Sequence, residues 1–174
     1  GSATARFGDT WEWDGTQWVE RFPSTAPSAR TLSAMVYDRL RGRIVLVGGV
    51  TCSVCIERDM WEWDGTTWTQ IPAPGMPARA QHGMAYDEDR QRVVLAGGEC
   101  GPFCNSYYDS WEWDWTTWAK RLKWCPPGMF DGIVYDTGRR KAVFYSLYTL
   151  WEYGPVFPAD YVPYGTACPG TAGI

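Results

Sequence analysis

Three kinds of side chain in this sequence could do chemistry: cysteines in close pairs, glutamates set between tryptophans, and a single histidine. Cys52 and Cys55 form one pair, Cys100 and Cys104 another, while Cys125 and Cys168 stand apart. Thiols so spaced make either disulfides or a metal site. Cys52, Cys55, Cys100 and Cys104 would be an adequate four-thiolate set for zinc. The two pairs are 45 residues apart, in tryptophan-rich and loop-like surroundings. That context favours disulfides and an oxidising compartment. For Cys125 and Cys168 two pairings stay open: with each other by elimination, or Cys168 with a partner beyond Ile174.

Glu12, Glu62, Glu112 and Glu152 each follow a tryptophan. Two carboxyl groups at close range could hydrolyse a glycosidic bond. These four recur once per unit of sequence, which would hold them apart. The expected role is an ion pair with an arginine, the repeating candidates being Arg30, Arg79, Arg43 and Arg92. Asp14, Asp64 and Asp114 have the residue type of metal ligands. Two of them precede glycine, and Asp-Gly reads as a two-residue hairpin turn of the primed type without any metal. His82 has no nucleophile near it in sequence. Gly-x-Ser-x-Gly, His-Glu-x-x-His and phosphate-binding glycine loops are missing from the sequence. No cofactor or metal is expected, and the reading leans away from an enzyme.

The elements that must hold these residues are announced by a repeat. Trp11-Glu12-Trp13-Asp14-Gly15-Thr16-Gln17-Trp18 returns as Trp61-Glu62-Trp63-Asp64-Gly65-Thr66-Thr67-Trp68, and again as Trp111-Glu112-Trp113-Asp114-Trp115-Thr116-Thr117-Trp118, in steps of 50 residues. A fainter copy, Trp151-Glu152-Tyr153-Gly154, follows after 40. Tyr37-Asp38, Tyr86-Asp87 and Tyr135-Asp136 keep a step of 49, as do the diglycines Gly48-Gly49 and Gly97-Gly98; Ser146-Leu147 stands in the third such place. Each unit reads as four short strands: Thr31 to Tyr37 or Ala80 to Tyr86, then an apolar run ending at the diglycine, then the Trp-Glu-Trp strand, then a strand opened by Trp68 or its equivalent. The apolar runs, Arg43 to Val47 and Arg92 to Ala96, suit strands covered on both faces.

Units of about 50 residues with four antiparallel strands follow the kelch β-propeller pattern. The diglycine after an apolar strand, the Tyr-Asp before it and the following tryptophan resemble kelch repeats. The wording Asp-x-Trp-Glu-Trp-Asp-Gly-Thr-x-Trp resembles the secreted bacterial variant. The resemblance covers residues 9 to about 153 and implies an all-β chain. It would hold a half-blade at 1–20, blades at 30–70 and 79–120, and a partial blade at 129–153, about three and a half blades in all. The kelch family includes a copper radical oxidase, but its two histidines have no counterpart beside the lone His82. Residues 156–174 form a tail resembling the opening of a glycine- and cysteine-containing module that follows such propellers. Since the family usually closes six or seven blades, the expectation is a ring completed by a longer chain or by partner chains.

Composition narrows the partners. With 16 basic and 20 acidic residues and no long basic run, the chain lacks the footprint of a nucleic-acid binder. No apolar run approaches the roughly 20 residues of a membrane span. The recurring tryptophans Trp11, Trp13, Trp61, Trp63, Trp111 and Trp113 read as filler between blades, because cores are patterned while sites are singular. Residues that break the pattern are therefore the candidates for contact with a partner. Trp115 replaces the hairpin glycine and is expected at an exposed turn tip; Tyr107, Tyr108 and Trp124 join it. The cysteine-bearing segments 50–58 and 99–108 lie where propellers present recognition loops. The expected function is a non-enzymatic extracellular, cell-surface or periplasmic module binding protein or glycan. The alternatives are a glycan-processing enzyme whose site lies in further blades, and a structural subunit of a filament or surface layer.

Overall fold

The computed structural model describes residues 5–101, 106–121, 132–146 and 149–153, which form thirteen strands and no helix. They make four antiparallel sheets in chain order. The first pairs β1 (Thr10–Trp13) with β2 (Trp18–Arg21). The second runs β3 (Ala34–Asp38), β4 (Arg43–Val50), β5 (Ile56–Trp63) and β6 (Trp68–Ile71). The third runs β7 (Gly83–Asp87), β8 (Arg92–Ala96), β9 (Ser110–Trp113) and β10 (Trp118–Lys120). The fourth runs β11 (Gly132–Asp136), β12 (Lys141–Ser146) and β13 (Thr149–Tyr153). No described sheet closes on itself. The chain is an all-β partial propeller.

Strand alternation gives every blade two unlike faces. In the second sheet Leu46 lies opposite Trp61 and Ile44 opposite Trp63, so the tryptophans share a face with them. Val45, opposite Glu62, and Val47, opposite Met60, share the other face. The blades stack with one face of each always against the other face of its neighbour. Val45, Val47 and Met60 of the second blade pack with Trp111, Trp113 and Trp118 of the third. Val94 and Ala96 of the third pack with Ala142 and Phe144 of the fourth. Toward the first blade, the Trp63 indole N–H donates to Glu12 at 2.7 Å and the Trp68 indole to Thr10 at 2.9 Å. The tryptophan face of the first blade has no neighbour among the described residues: Trp13 and Trp18 are 53% and 64% exposed, against 1% and 5% for Trp113 and Trp118.

The diglycines allow the blades to approach. Gly48 and Gly49 have φ of 61° and 101°, a region that L side chains seldom enter. A Cβ on Gly48 would collide with the carbonyl oxygen of Arg79 in the next unit, and that same carbonyl accepts from the Gly49 N–H at 3.0 Å. Gly97 and Gly98 repeat the left-handed pair at 66° and 96°. Of Ser146-Leu147, the third copy, Leu147 lies outside the described residues.

Two local expectations are corrected. The first strand of each full unit begins at Ala34 and Gly83, three residues later than its sequence suggests. Leu32 and Gln81 sit at φ of 59° and 54°, which breaks the extended backbone and leaves Thr31 and Ala80 only isolated bridges to Val50 and Glu99. The Asp-Gly pairs do not form primed two-residue turns. Such a turn needs positive φ at its first central residue, and in residues 64–67 only Gly65 has it. The Asp64 carboxylate instead accepts the N–H groups of Thr66 and Thr67 at 2.8 and 2.7 Å, closing a four-residue loop between the paired Trp63 and Trp68.

Candidate functional site

The cysteine-bearing segments that depart from the repeat lie together at the blade end carrying the diglycines. There β4 and β5 continue past Gly48-Gly49 as a two-stranded ribbon, with Gly49 opposite Glu57 and Val50 opposite Ile56. Val50 also exchanges backbone hydrogen bonds with Thr31 at 2.8 and 3.1 Å. The ribbon is capped by a disulfide between Cys52 and Cys55. Inside the cap the Thr51 N–H donates to the Cys55 carbonyl at 3.0 Å, and the Thr51 hydroxyl donates to Glu57. Cys52 is half-buried, while Ser53, Val54 and Cys55 are exposed. These two thiols are spent on each other and are not zinc ligands.

The β8–β9 connection in the next blade lies alongside. A Cβ placed on Gly101 would meet the Ile56 side chain at 3.1 Å. Cys100 is also disulfide-bonded; Cys104, its expected partner, lies outside the described residues, as do Cys125, Cys168 and Trp124. Tyr107 donates its backbone N–H to Gly98 at 2.8 Å, and its ring lies 4.4 Å from the Arg79 guanidinium carbon. Tyr108, the next residue, is exposed. The two tyrosines divide the work: Tyr107 anchors the connection and Tyr108 faces outward.

Beneath the loops lies a buried charged layer. Arg79, fully buried, donates to the Gly97 carbonyl at 2.8 Å and to Asp109 at 3.1 Å; Lys120 reaches the second Asp109 oxygen at 3.1 Å. In the preceding blade Arg30 holds Asp59 with two hydrogen bonds of 2.6 and 2.8 Å. Burial by itself would raise the Asp59 and Asp109 carboxyls, but the paired arginines hold both below the usual carboxylate range. His82 is packed against Gly48 and Gly98. Burial, reinforced by the charge of Arg79, pushes its pKa down to about 3, so it is neutral at pH 7.

Trp115 is not at an exposed tip and does not join this region. It sits at the opposite end of the third blade, in the β9–β10 hairpin, half-buried with φ of 74°. Its indole N–H donates to the Gln91 carbonyl at 2.9 Å, and its ring lies against Tyr86 and the Arg41 guanidinium. The apolar ring gains more from folding back over Tyr86 than from standing in water.

The recurring glutamates are paired with cations, but not with the arginines expected. Glu12 takes Arg21, Glu62 takes Arg41, Glu112 takes Arg90 and Arg121, and Glu152 takes Arg139 and Lys141. Arg30 and Arg79 hold Asp59 and Asp109, the aspartates before the second and third tryptophan motifs, while Arg43 and Arg92 reach Asp64 and Asp114. The reason is reach. Arg41, Arg90 and Arg139 occupy the turn after each Tyr-Asp pair, beside the third strand of the blade. That signal was present in sequence, since Asp38, Asp87 and Asp136 are each followed three residues later by arginine.

Each described carboxyl group whose proton affinity is displaced is displaced downward: Glu12 by the Trp63 indole, Asp14 and Asp114 to about 2 by the hydroxyls and N–H groups of their own loops, Glu152 by Lys141. A general acid needs the opposite shift. Among the described residues no group of three His, Cys, Asp or Glu side chains is placed to hold a metal, and no helix is long and apolar enough to cross a membrane. The disulfide fits a non-cytoplasmic environment. No protein-family model matches the chain, and no curated protein matches it.

Proposed function

We propose that the chain is part of a kelch-type propeller working outside the cytoplasm, extracellular, on the cell surface or in the periplasm. In this reading it is a non-enzymatic module that binds protein or glycan through its β4–β5 and β8–β9 loops. The observation that carries the reading is the departure from the repeat at one blade end. Two adjacent loops, each with a disulfide-bonded cysteine, stand on a layer of buried ion pairs and present Val54 and Tyr108 to solvent. Loops already constrained lose less freedom on binding, and a rigid scaffold with variable loops is the usual seat of recognition. The exposed tryptophan face of the first blade supports a second part of the proposal: further blades, from a longer chain or partner chains, cover it as the third blade's face is covered.

The test is selection of ligands from an array of defined oligosaccharides and from a displayed peptide library. Each is probed with the intact chain and with a variant in which residues 51–55 are replaced by a short glycine turn. Ligands of the intact chain should lose binding to the variant. Equal binding to both forms, or turnover of an arrayed sugar, would contradict the reading.

A further inference from the structure

The Cys52–Cys55 disulfide closes a loop that the backbone has already closed. Beneath it, beyond a register shift after Val47, β4 and β5 pair again at Gly49 opposite Glu57 and Val50 opposite Ile56, and Thr51 bonds to Cys55 above that. A cross-link stabilises a fold chiefly by restricting the unfolded chain, and least when the loop it closes is short. With a sequence separation of three, this one adds little that the ribbon lacks. The contrast lies one blade further on. There β8 and β9 pair as far as Ala96 opposite Ser110, with backbone bonds beyond from Gly97 to Asp109 and from Tyr107 to Gly98, but the connection above them is longer and its Cys100 is half-buried. The sulfurs of the cap also differ in access, Cys55 being exposed and Cys52 half-buried. Exposed disulfides that do not support the fold are the ones open to exchange.

We propose that Cys52–Cys55 is a thiol–disulfide exchange site, taking an external thiolate as its substrate while the blades stay folded. This goes beyond the recognition reading and stands without it. The incoming thiolate attacks Cys55 Sγ; the bond between the sulfurs breaks, and Cys52 leaves as a thiolate that takes a proton from water. A second thiolate attacks the outer sulfur of the mixed disulfide and releases Cys55. The protein gains two electrons and two protons, and the two attacking thiols leave joined as a disulfide, between two molecules of a monothiol or within one molecule of a dithiol. A low-molecular-mass thiol and a dithiol protein share this chemistry.

The test treats the whole folded chain with reduced glutathione in one arm and a thioredoxin-type dithiol protein in the other. Thiols are trapped by alkylation and mapped by peptide mass, with far-UV circular dichroism followed in parallel. In at least one arm Cys52 and Cys55 should become alkylated at least tenfold faster than Cys100, with the spectrum unchanged. Reaction with glutathione assigns a low-molecular-mass thiol; reaction with the dithiol protein alone assigns a protein reductant. In the single variants, oxidised glutathione should form a mixed disulfide faster with Cys52→Ser, which leaves Cys55, than with Cys55→Ser. The proposal is overturned if, in both arms, Cys52 and Cys55 react no faster than Cys100, or react only as the β signal is lost.

Discussion

The guanidinium of Arg41 lies 4.3 Å from the centre of the Trp115 ring, while its terminal nitrogens hold both oxygens of Glu62 at 2.6 and 2.8 Å. A turn of the second blade is thereby tied to a hairpin of the third. Trp115 occupies the position of Gly15 and Gly65 and keeps their positive φ, which costs a bulky residue about 1–2 kcal/mol. Packing on Tyr86 and the cation–π contact offset this by about 3 kcal/mol together. Trp115→Gly is therefore expected to destabilise by about 1–2 kcal/mol although it relieves strain. Trp115→Ala, which keeps the strain without the ring, should cost about 1 kcal/mol more. Urea denaturation of the three proteins checks the order, and a glycine variant more stable than the parent would refute the account of this contact.

Position within the motif does not fix a tryptophan's worth; its neighbour does. Trp13 and Trp113 are equivalent in the repeat, yet Trp113 is enclosed between two blades and Trp13 faces solvent. Trp113→Ala should cost about 3–5 kcal/mol through lost burial and the cavity left behind. Trp13→Ala should cost less than about 1 kcal/mol in this chain. Circular dichroism in denaturant gives both values.

The glycines separate two causes that sequence alone cannot. Gly48 and Gly65 both have positive φ, but a Cβ on Gly65 meets nothing within 4 Å, while one on Gly48 strikes the backbone of the next blade. Gly65→Ala is expected to cost about 1 kcal/mol, the conformational term alone. Gly48→Ala should cost about 3 kcal/mol or more, because neither backbone can yield. A comparison of urea midpoints at unchanged m-value tests this.

His82 sets a pH dependence whose sign follows from its burial. Its folded-state pKa is about 3, and in the unfolded chain it returns to about 6.5. Between these values the unfolded chain binds the extra proton, so stability falls as pH drops from about 6.5 toward 3, by up to about 1.4 kcal/mol per pH unit. Carboxylates enter only below about pH 5. His82 is the sole histidine, so the slope between pH 6.5 and 5 belongs to it. His82→Ser should flatten that slope whatever it does to the stability at pH 7, as thermal unfolding across this range would show.

Much of the frame was legible because it depends on local pattern. The step of 49 to 50 residues carried the Tyr-Asp pairs, the diglycines and the tryptophan strands, and the apolar runs before the diglycines then placed the strands between them. What escaped reading depends on contacts far apart in sequence. Arg41 meets Glu62 across 21 positions; the recurring Asp-x-x-Arg spacing marks the turn arginine in sequence, but its approach to the third strand is a contact of the folded sheet. Trp115 looked like a solvent-facing tip because the partners that fold it back, Tyr86 and Arg41, are 29 and 74 residues away. The exposed cap at Cys52–Cys55 was visible as a spacing. That the ribbon beneath it needs no cross-link was not.

On the proposed function the tryptophan motif is framework and the two cysteine-bearing loops are the site. Hydrogen exchange of the whole chain, with and without a ligand selected on its surface, tests it most directly. The account requires new protection around Cys55 and Tyr108, with none in the hairpins at residues 14–17, 64–67 and 114–117 or on the strand holding Trp11 and Trp13. Protection centred on those tryptophans or hairpins, with the loops unchanged, would contradict it.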